Sequence, residues 1–255
     1  MAEVNVRVLS KMMWSPKLFS FTTTRPDNFR FDAGQFVRLG IDGASEPIFR
    51  AYSIVSSPYD EFLEFFSVVV PEGAFTSKLQ HLAVGDNLYL DTTAYGFLTL
   101  ARYQNPPPND LWLLATGTGL APFLSMLGDL TTWERYRHIV LAYSVSFAQD
   151  LAYLTRIKQL VGEFQALTEQ QTTFTFLPIV TQEQDTAAQL HQRLPTLLIS
   201  GALETAAGRA LDPATSHIML CGNPAMVHDT KETLKQLGLT MNRRGVGNIA
   251  VENYW

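Results

Sequence analysis

The chain has 255 residues, 46% apolar and 17% charged, with a formal charge of −5 and one cysteine, Cys221. That length fits two domains of roughly 100 to 150 residues each, and the composition is too apolar for an extended disordered protein. The acidic balance gives no whole-chain reason to bind nucleic acid, and one thiol can build neither an internal disulfide nor an iron–sulfur cluster, which fits a reducing compartment.

The opening residues, Met1 to Leu9, alternate polar and apolar types without the apolar run of a signal peptide. No run approaches the roughly 20 apolar residues that span a bilayer, so a cytoplasmic protein without membrane attachment is expected. From Val4 to about Leu100 the apolar pattern is short and period-two, as in Val4, Val6 and Val8. Strands buried on one face read this way. Further strands are predicted over Lys17 to Thr23, Gln35 to Ile41, Arg50 to Val55, Leu63 to Val70 and Asn87 to Asp91. Six short strands at this spacing predict an antiparallel β-barrel. One helix is predicted over Ala74 to Ala83, where Phe75, Leu79 and Leu82 share a face. Gln104-Asn-Pro-Pro-Pro-Asn109 continues neither regular structure, which places a domain boundary there and gives domains of 1–103 and 104–255.

In the second half near-continuous apolar runs, Leu111 to Ala115, Ile139 to Tyr143, Phe174 to Val180 and Ile218 to Cys221, read as buried parallel strands. Between them Leu120 to Leu130, Asp150 to Phe164, Ala187 to Ser200 and Pro224 to Leu237 are long enough for crossover helices. The alternation predicts an α/β domain with a doubly wound parallel sheet.

The strongest chemical signal is Leu111-Trp-Leu-Leu-Ala-Thr-Gly-Thr-Gly-Leu-Ala-Pro122, an apolar strand entering two glycines and then a helix. Backbone amides and a helix N-terminus can face a phosphate or a ring there, although the same residues also suit a tight turn without a ligand. Pro122 stands at the third glycine position of the usual fingerprint. Where that fingerprint carries an acid for the ribose hydroxyls, the sequence reads Ser144-Val-Ser146. The missing acid leans toward a 2′-phosphorylated nucleotide; the alternative is a plain loop.

Arg50-Ala-Tyr-Ser53 sets a guanidinium and a ring on one face of an extended segment, a fork for pyrophosphate beside a stacking platform. Read alone it is equally an ordinary surface strand. Pro71-Glu-Gly-Ala-Phe-Thr76 offers amides and a hydroxyl at a helix start, or simply a capped turn. Cys221-Gly-Asn-Pro224 ends the fourth apolar strand, at the edge where open α/β sheets bind ligands, and its thiol sits beside a nicotinamide or packs as a small hydrophobe. The tail Val251-Glu-Asn-Tyr-Trp255 ends in two aromatics that stack on a heterocycle or on the protein's own surface. The five histidines show no metal-ligand spacing, and no hydrolase elbow is present.

Taken together and in order, Arg50-Ala-Tyr-Ser53, Gly73 to Thr76, Thr116-Gly-Thr-Gly119, Cys221-Gly-Asn-Pro224 and the terminal aromatic resemble the bacterial ferredoxin–NADP reductases. The resemblance implies an N-terminal FAD-binding barrel and a C-terminal NADP-binding domain whose tail returns to the FAD. It implies that Arg50 binds the FAD pyrophosphate, that Tyr52 flanks the isoalloxazine, that Ala51 between them is among the FAD-binding residues, and that Ser53 approaches the N5 edge. Phe66 stands where a flavin-contacting aromatic is expected. Ala74, Phe75 and Thr76 would cover FAD phosphate, and Tyr254 and Trp255 would lie against FAD. Thr116 and Gly117 would meet the nicotinamide, with Ser53 and Cys221 as the catalytic neighbours. Ser146, Gln182, Arg193 and Asp229 fall on the NADP side. There the chain departs from its relatives, which place arginines after the second and third sheet strands where this sequence has Ser146 and Gln182; Arg193 keeps a third basic position, and Arg243 or Arg244 can contribute. Losing two charged donors costs roughly 1.5 to 3 kcal/mol apiece, so use of NADH beside NADPH is an alternative.

The implied activity is electron transfer between NADP(H) and ferredoxin or flavodoxin through hydride transfer to flavin N5, by a monomer. Two rivals remain at this stage: a flavin reductase for ferric siderophores or quinones, and a nucleotide-binding sensor or scaffold without turnover.

Overall fold

The computed structural model describes residues 3–103, 107–169, 171–184 and 186–253. Its contacts divide the chain into two compact units, one taking in the chain up to Thr99 together with Ala121–Asp129, the other Leu100–Leu120 and Leu130 onward. The expected boundary at 103/104 adjoins residues 104–106, which lie outside the described residues.

The first unit holds β1 (Glu3–Met13), β2 (Leu18–Thr24), β3 (Phe36–Ile41), β4 (Ile48–Ser53), β5 (Phe62–Val68), α1 (Thr76–Leu79), β6 (Asn87–Asp91) and α2 (Ala121–Leu127). The strands pair antiparallel in the order β4-β3-β6-β1-β2-β5. The two ends of that sheet meet: Ile54 bridges Phe65, and the Val55 amide donates to the Glu64 carbonyl at 2.8 Å, so the barrel nearly closes. Alternation drives it. Val6 and Val8 of β1 are buried while Arg7 between them is exposed, and Phe19, Phe21, Leu63 and Phe65 point to the same interior. Burying each of these Phe or Leu side chains contributes about 1.5 to 3 kcal/mol.

The second unit holds β7 (Asp110–Thr116), α3 (Leu130–Arg135), β8 (His138–Val145), α4 (Leu154–Leu167), β9 (Thr173–Val180), α5 (Leu194–Ile199), α6 (Ala202–Ala207), β10 (Ser216–Gly222), α7 (Pro224–Gln236) and β11 (Ile249–Asn253). Its five strands are parallel in the order β11-β10-β7-β8-β9. Numbered within the unit this is 5-4-1-2-3, so the winding reverses between β7 and β10, and ligands of doubly wound sheets bind beyond the carboxyl ends of the strands at that reversal. Trp112, Leu114, Ile218 and Leu220 are fully buried against Leu198 and Leu234 of the covering helices, which accounts for the unbroken apolar runs.

Three expectations need correction. The helix over Ala74 to Ala83 is the four-residue α1, because His81 and Leu82 turn back onto Lys78 and Leu79 with three-residue bonds that tighten and end it. The helix over Leu120 to Leu130 is two, α2 and α3, parted at Gly128 and Asp129. The helix over Ala187 to Ser200 begins only at Leu194, since Pro195 belongs in a first turn and disfavours helix before it; α6, beyond the positive-φ Gly201, was not foreseen. Ile249–Asn253 adds a fifth strand beside β10 that the apolar runs had not indicated.

Candidate functional site

Within the barrel unit, the seam between β4 and β5 gathers most of the residues singled out for a flavin. Arg50 and Ala51 are exposed on β4, Tyr52 is half-buried and Ser53 is 4% exposed. The Arg50 guanidinium donates to the Phe49 carbonyl at 2.8 Å and enters no ion pair among the described residues, which leaves most of its donors for an anion. Across the seam the Tyr52 hydroxyl bonds Ser67 Oγ at 3.0 Å, and its ring stands edge-on to Phe65 and 5.7 Å from Phe75. Burial pushes the Tyr52 phenol up to about 12, against the Ser67 bond and the Arg50 charge, so it stays protonated. Phe66 lies on β5 beside Ser67 and is 3% exposed.

The loop before α1 closes the same region. Ser77 donates to Gly73, and Lys78 and Leu79 to Phe75, so the amides of Ala74, Phe75 and Thr76 precede the ladder. Phe75 sends its side chain into the barrel core, so only its backbone is available to a phosphate. The Thr76 hydroxyl is taken up by Val70, accepting from its amide at 3.1 Å and donating to its carbonyl at 3.3 Å. Gly73 is tightly surrounded: a Cβ there would lie 2.9 Å from Thr76 Oγ1 and 3.1 Å from the Val70 carbonyl oxygen, so one of these neighbours would have to shift.

In the second unit the two glycine motifs interlock at the reversal of the sheet. A Cβ on Gly119 would lie 2.3 Å from the Cys221 carbonyl oxygen, and one on Gly222, at φ +136°, 2.2 Å from Thr116 Oγ1. The Asn223 amide donates to Thr116 Oγ1 at 3.0 Å, and Asn223 Oδ1 caps α7 by accepting from Ala225 and Met226. Gly117 is different: its φ is +52° and nothing lies within 4 Å of where its Cβ would stand. The turn is thus fixed from behind and open in front, the shape that lets backbone approach a dinucleotide closely. Cys221 is fully buried on β10, between Ala115 and Glu252 in register.

Of the residues assigned to the far end of a nucleotide, Ser146 directly follows β8 and Gln182 comes just after β9. Gln182 donates its amide to the Ser146 carbonyl at 2.9 Å, and both residues are exposed. Arg193, at the N-cap of α5, and Asp229, on α7, are exposed too. Asp229 lies 3.2 Å from His228 Nδ1. Sequence reasoning missed Glu183, whose Oε2 accepts from the Ala148 amide at 2.6 Å and ties the β9 end to the loop after β8. No local spacing announces that bond. It also left unused the Asn-Pro start of α7, a readable cap signal. Tyr254 and Trp255 lie outside the described residues.

Two family models match the chain, one in each half of the sequence. The oxidoreductase FAD-binding domain family matches residues 3–95 and the oxidoreductase NAD-binding domain family residues 113–232. A ferredoxin–NADP reductase A of Sorangium cellulosum is 41% identical over 248 residues, covering 96% of this chain and 87% of the relative. The chain belongs to the ferredoxin–NADP reductase family. A flavodoxin/ferredoxin–NADP reductase of Escherichia coli is 37% identical over 99% of the chain and 98% of the relative. Among solved structures, a ferredoxin NADP+ reductase from Neisseria gonorrhoeae with bound FAD and NADP superposes with a TM-score of 0.90 at 36% identity, covering 99% of each chain. The family match extends over both units, and the barrel and parallel sheet are the architecture that the sequence led one to expect. No helix among the described residues is long and apolar enough to cross a membrane.

Proposed function

We propose that the chain is an FAD-dependent oxidoreductase that moves electrons between NADP(H) and ferredoxin or flavodoxin, working as a cytoplasmic monomer. The observation that carries this reading is the pair of prepared sites: an exposed Arg50, in no ion pair among the described residues, beside Tyr52 and Ser53 on the barrel seam, and the Thr116–Gly119 turn buttressed by Gly222 at the sheet reversal. When bound, FAD supplies the hydride acceptor and the one-electron chemistry.

The chain's residues supply position. Arg50 would fork onto the pyrophosphate, with the Ala74, Phe75 and Thr76 amides adding donors. Ala51 and Tyr52 would line the isoalloxazine, with Tyr52 held in orientation by its bond to Ser67, and Phe66 would add a second aromatic wall. Ser53 would present its hydroxyl to the N5 edge. Thr116 and Gly117 would receive the nicotinamide end, with Cys221 as a packing neighbour behind the turn. Ser146, Gln182, Arg193 and Asp229 would line the adenosine end. A near-attack arrangement of two rings needs little else from the protein.

The test is anaerobic. Purified protein is expected to hold one FAD, lose its yellow colour on addition of NADPH, and regain it when oxidised flavodoxin or ferredoxin is added. A colourless protein that takes up no FAD would overturn the reading.

A further inference from the structure

In doubly wound sheets the end of the second strand reads the adenosine ribose, through a carboxylate that accepts from the 2′-hydroxyl or an arginine that accommodates a 2′-phosphate. Here that strand is β8, and its end carries Ser144, buried, and Ser146, exposed, with no cation between them and Asp150. The neighbouring strand brings more. Thr181 and Gln182 donate their amides to Val145 and Ser146 at 3.0 and 2.9 Å, so the pairing of β8 and β9 runs on past both strands. It sets the neutral Gln182 next to Ser146 and carries Glu183 over the Ala148 amide, 2.6 Å away. Glu183 is half-buried, and no Lys, Arg or His pairs with it among the described residues. An acid therefore stands at the ribose-reading edge after all, delivered by β9 rather than β8. The cation on this side is Arg193, three residues past Leu190, whose carbonyl accepts from the Val180 amide; the Arg193 side chain is exposed and enters no ion pair among the described residues.

We infer that Ser146, Gln182 and Glu183 form a ribose subsite that discriminates weakly between a 2′-hydroxyl and a 2′-phosphate, so that the chain uses NADH as well as NADPH. The inference rests on the nucleotide-oxidising function proposed above and concerns the second unit alone. A 2′-phosphate gains one charged contact, from Arg193, and meets a like charge in Glu183; a hydroxyl meets two neutral side chains and a carboxylate acceptor. One charge-assisted contact amounts to about tenfold to hundredfold in affinity, and the Glu183 charge offsets part of it. The ratio of kcat/KM for NADPH over NADH is expected to fall within about tenfold of unity.

The test uses the flavin-loaded protein and two readouts. Calorimetry compares adenosine 2′,5′-bisphosphate with AMP, and anaerobic flavin reduction compares NADPH with NADH. Ser146→Arg and Gln182→Arg, both at exposed positions, are expected to raise the affinity for the bisphosphate relative to AMP by about tenfold or more each. Glu183→Gln keeps an oxygen for the Ala148 amide, removes the charge, and is expected to raise bisphosphate affinity severalfold. Flavin content of each variant checks that it is folded. Wild-type protein that prefers NADPH by more than about a hundredfold, or arginine variants that leave bisphosphate binding unchanged, would overturn the inference while the proposed function stands. Flavin-loaded protein that neither nucleotide reduces would overturn the function itself.

Discussion

Replacing Gly119 by alanine should break the junction on which the second unit's site depends. The added Cβ would lie 2.3 Å from the Cys221 carbonyl oxygen, 2.5 Å from its carbon and 2.6 Å from Gly222 Cα. All three are backbone atoms, so no rotamer change relieves them and the turn after β7 must move off the end of β10. Overpacking a close-packed site costs about 1 to 3 kcal/mol, and three backbone collisions put this change at the upper end, about 3 kcal/mol. Gly117 is the internal control. Its alanine variant meets no atom within 4 Å and suffers only for its φ of +52°, about 1 kcal/mol. Urea unfolding and NADP+ calorimetry should therefore separate two alanines placed two residues apart. Gly119→Ala loses about 3 kcal/mol and at least about tenfold in NADP+ affinity; Gly117→Ala keeps most of its stability. Equal unfolding midpoints for the Gly119 variant and the wild type, with NADP+ affinity unchanged, would refute the reasoning.

Arg50→Ala should weaken FAD binding by about tenfold to hundredfold, the worth of one charge-assisted contact, with little effect on unfolding of the FAD-free protein because Arg50 is exposed; fluorescence titration of flavin into the apoprotein measures it. Ser53→Ala should slow anaerobic flavin reduction by NADPH in stopped flow without loss of bound FAD, and an unchanged rate would remove Ser53 from the site. His217 gives a pH signature. Burial, then the nearby Arg135 charge, lowers it to about 4, and it sits against Tyr103 with Nδ1 2.8 Å from the Tyr136 hydroxyl. A lowered histidine favours the fold above its unfolded value near 6.5 and loses that contribution as pH falls toward 4. After allowance for solvent screening, about 2 kcal/mol should disappear over that window, visible as a falling urea midpoint that His217→Gln flattens.

Much of the fold was legible because each unit has its own period. Val6, Val8, Phe19 and Phe21 alternate, whereas Leu111 to Ala115 and Ile218 to Cys221 do not, and that contrast distinguishes a barrel strand from a strand buried on both faces. Segment ends were less readable, since the shortening of α1 rests on three-residue bonds and the start of α5 on one proline. The fifth strand escaped notice because Ile249 to Val251 is a short apolar run whose pairing with β10 lies 31 residues away in sequence, as in Ile218 with Ile249. The candidate sites divide the same way. Gly117, Gly119 and Gly222 stand out as glycines, but that Gly119 and Gly222 are pressed together while Gly117 faces open space is a tertiary fact. Glu183 was invisible for the same reason: its partner, Ala148, is 35 residues away.

The most direct measurement of the central claim is stopped-flow oxidation of the NADPH-reduced protein by ferredoxin or flavodoxin, run beside a ferric chelate at equal concentration. The account predicts that the carrier protein reoxidises the flavin much faster and that added salt changes its rate more. Reoxidation by the chelate that outpaces every carrier, or a preparation that binds no flavin to reduce, would contradict it.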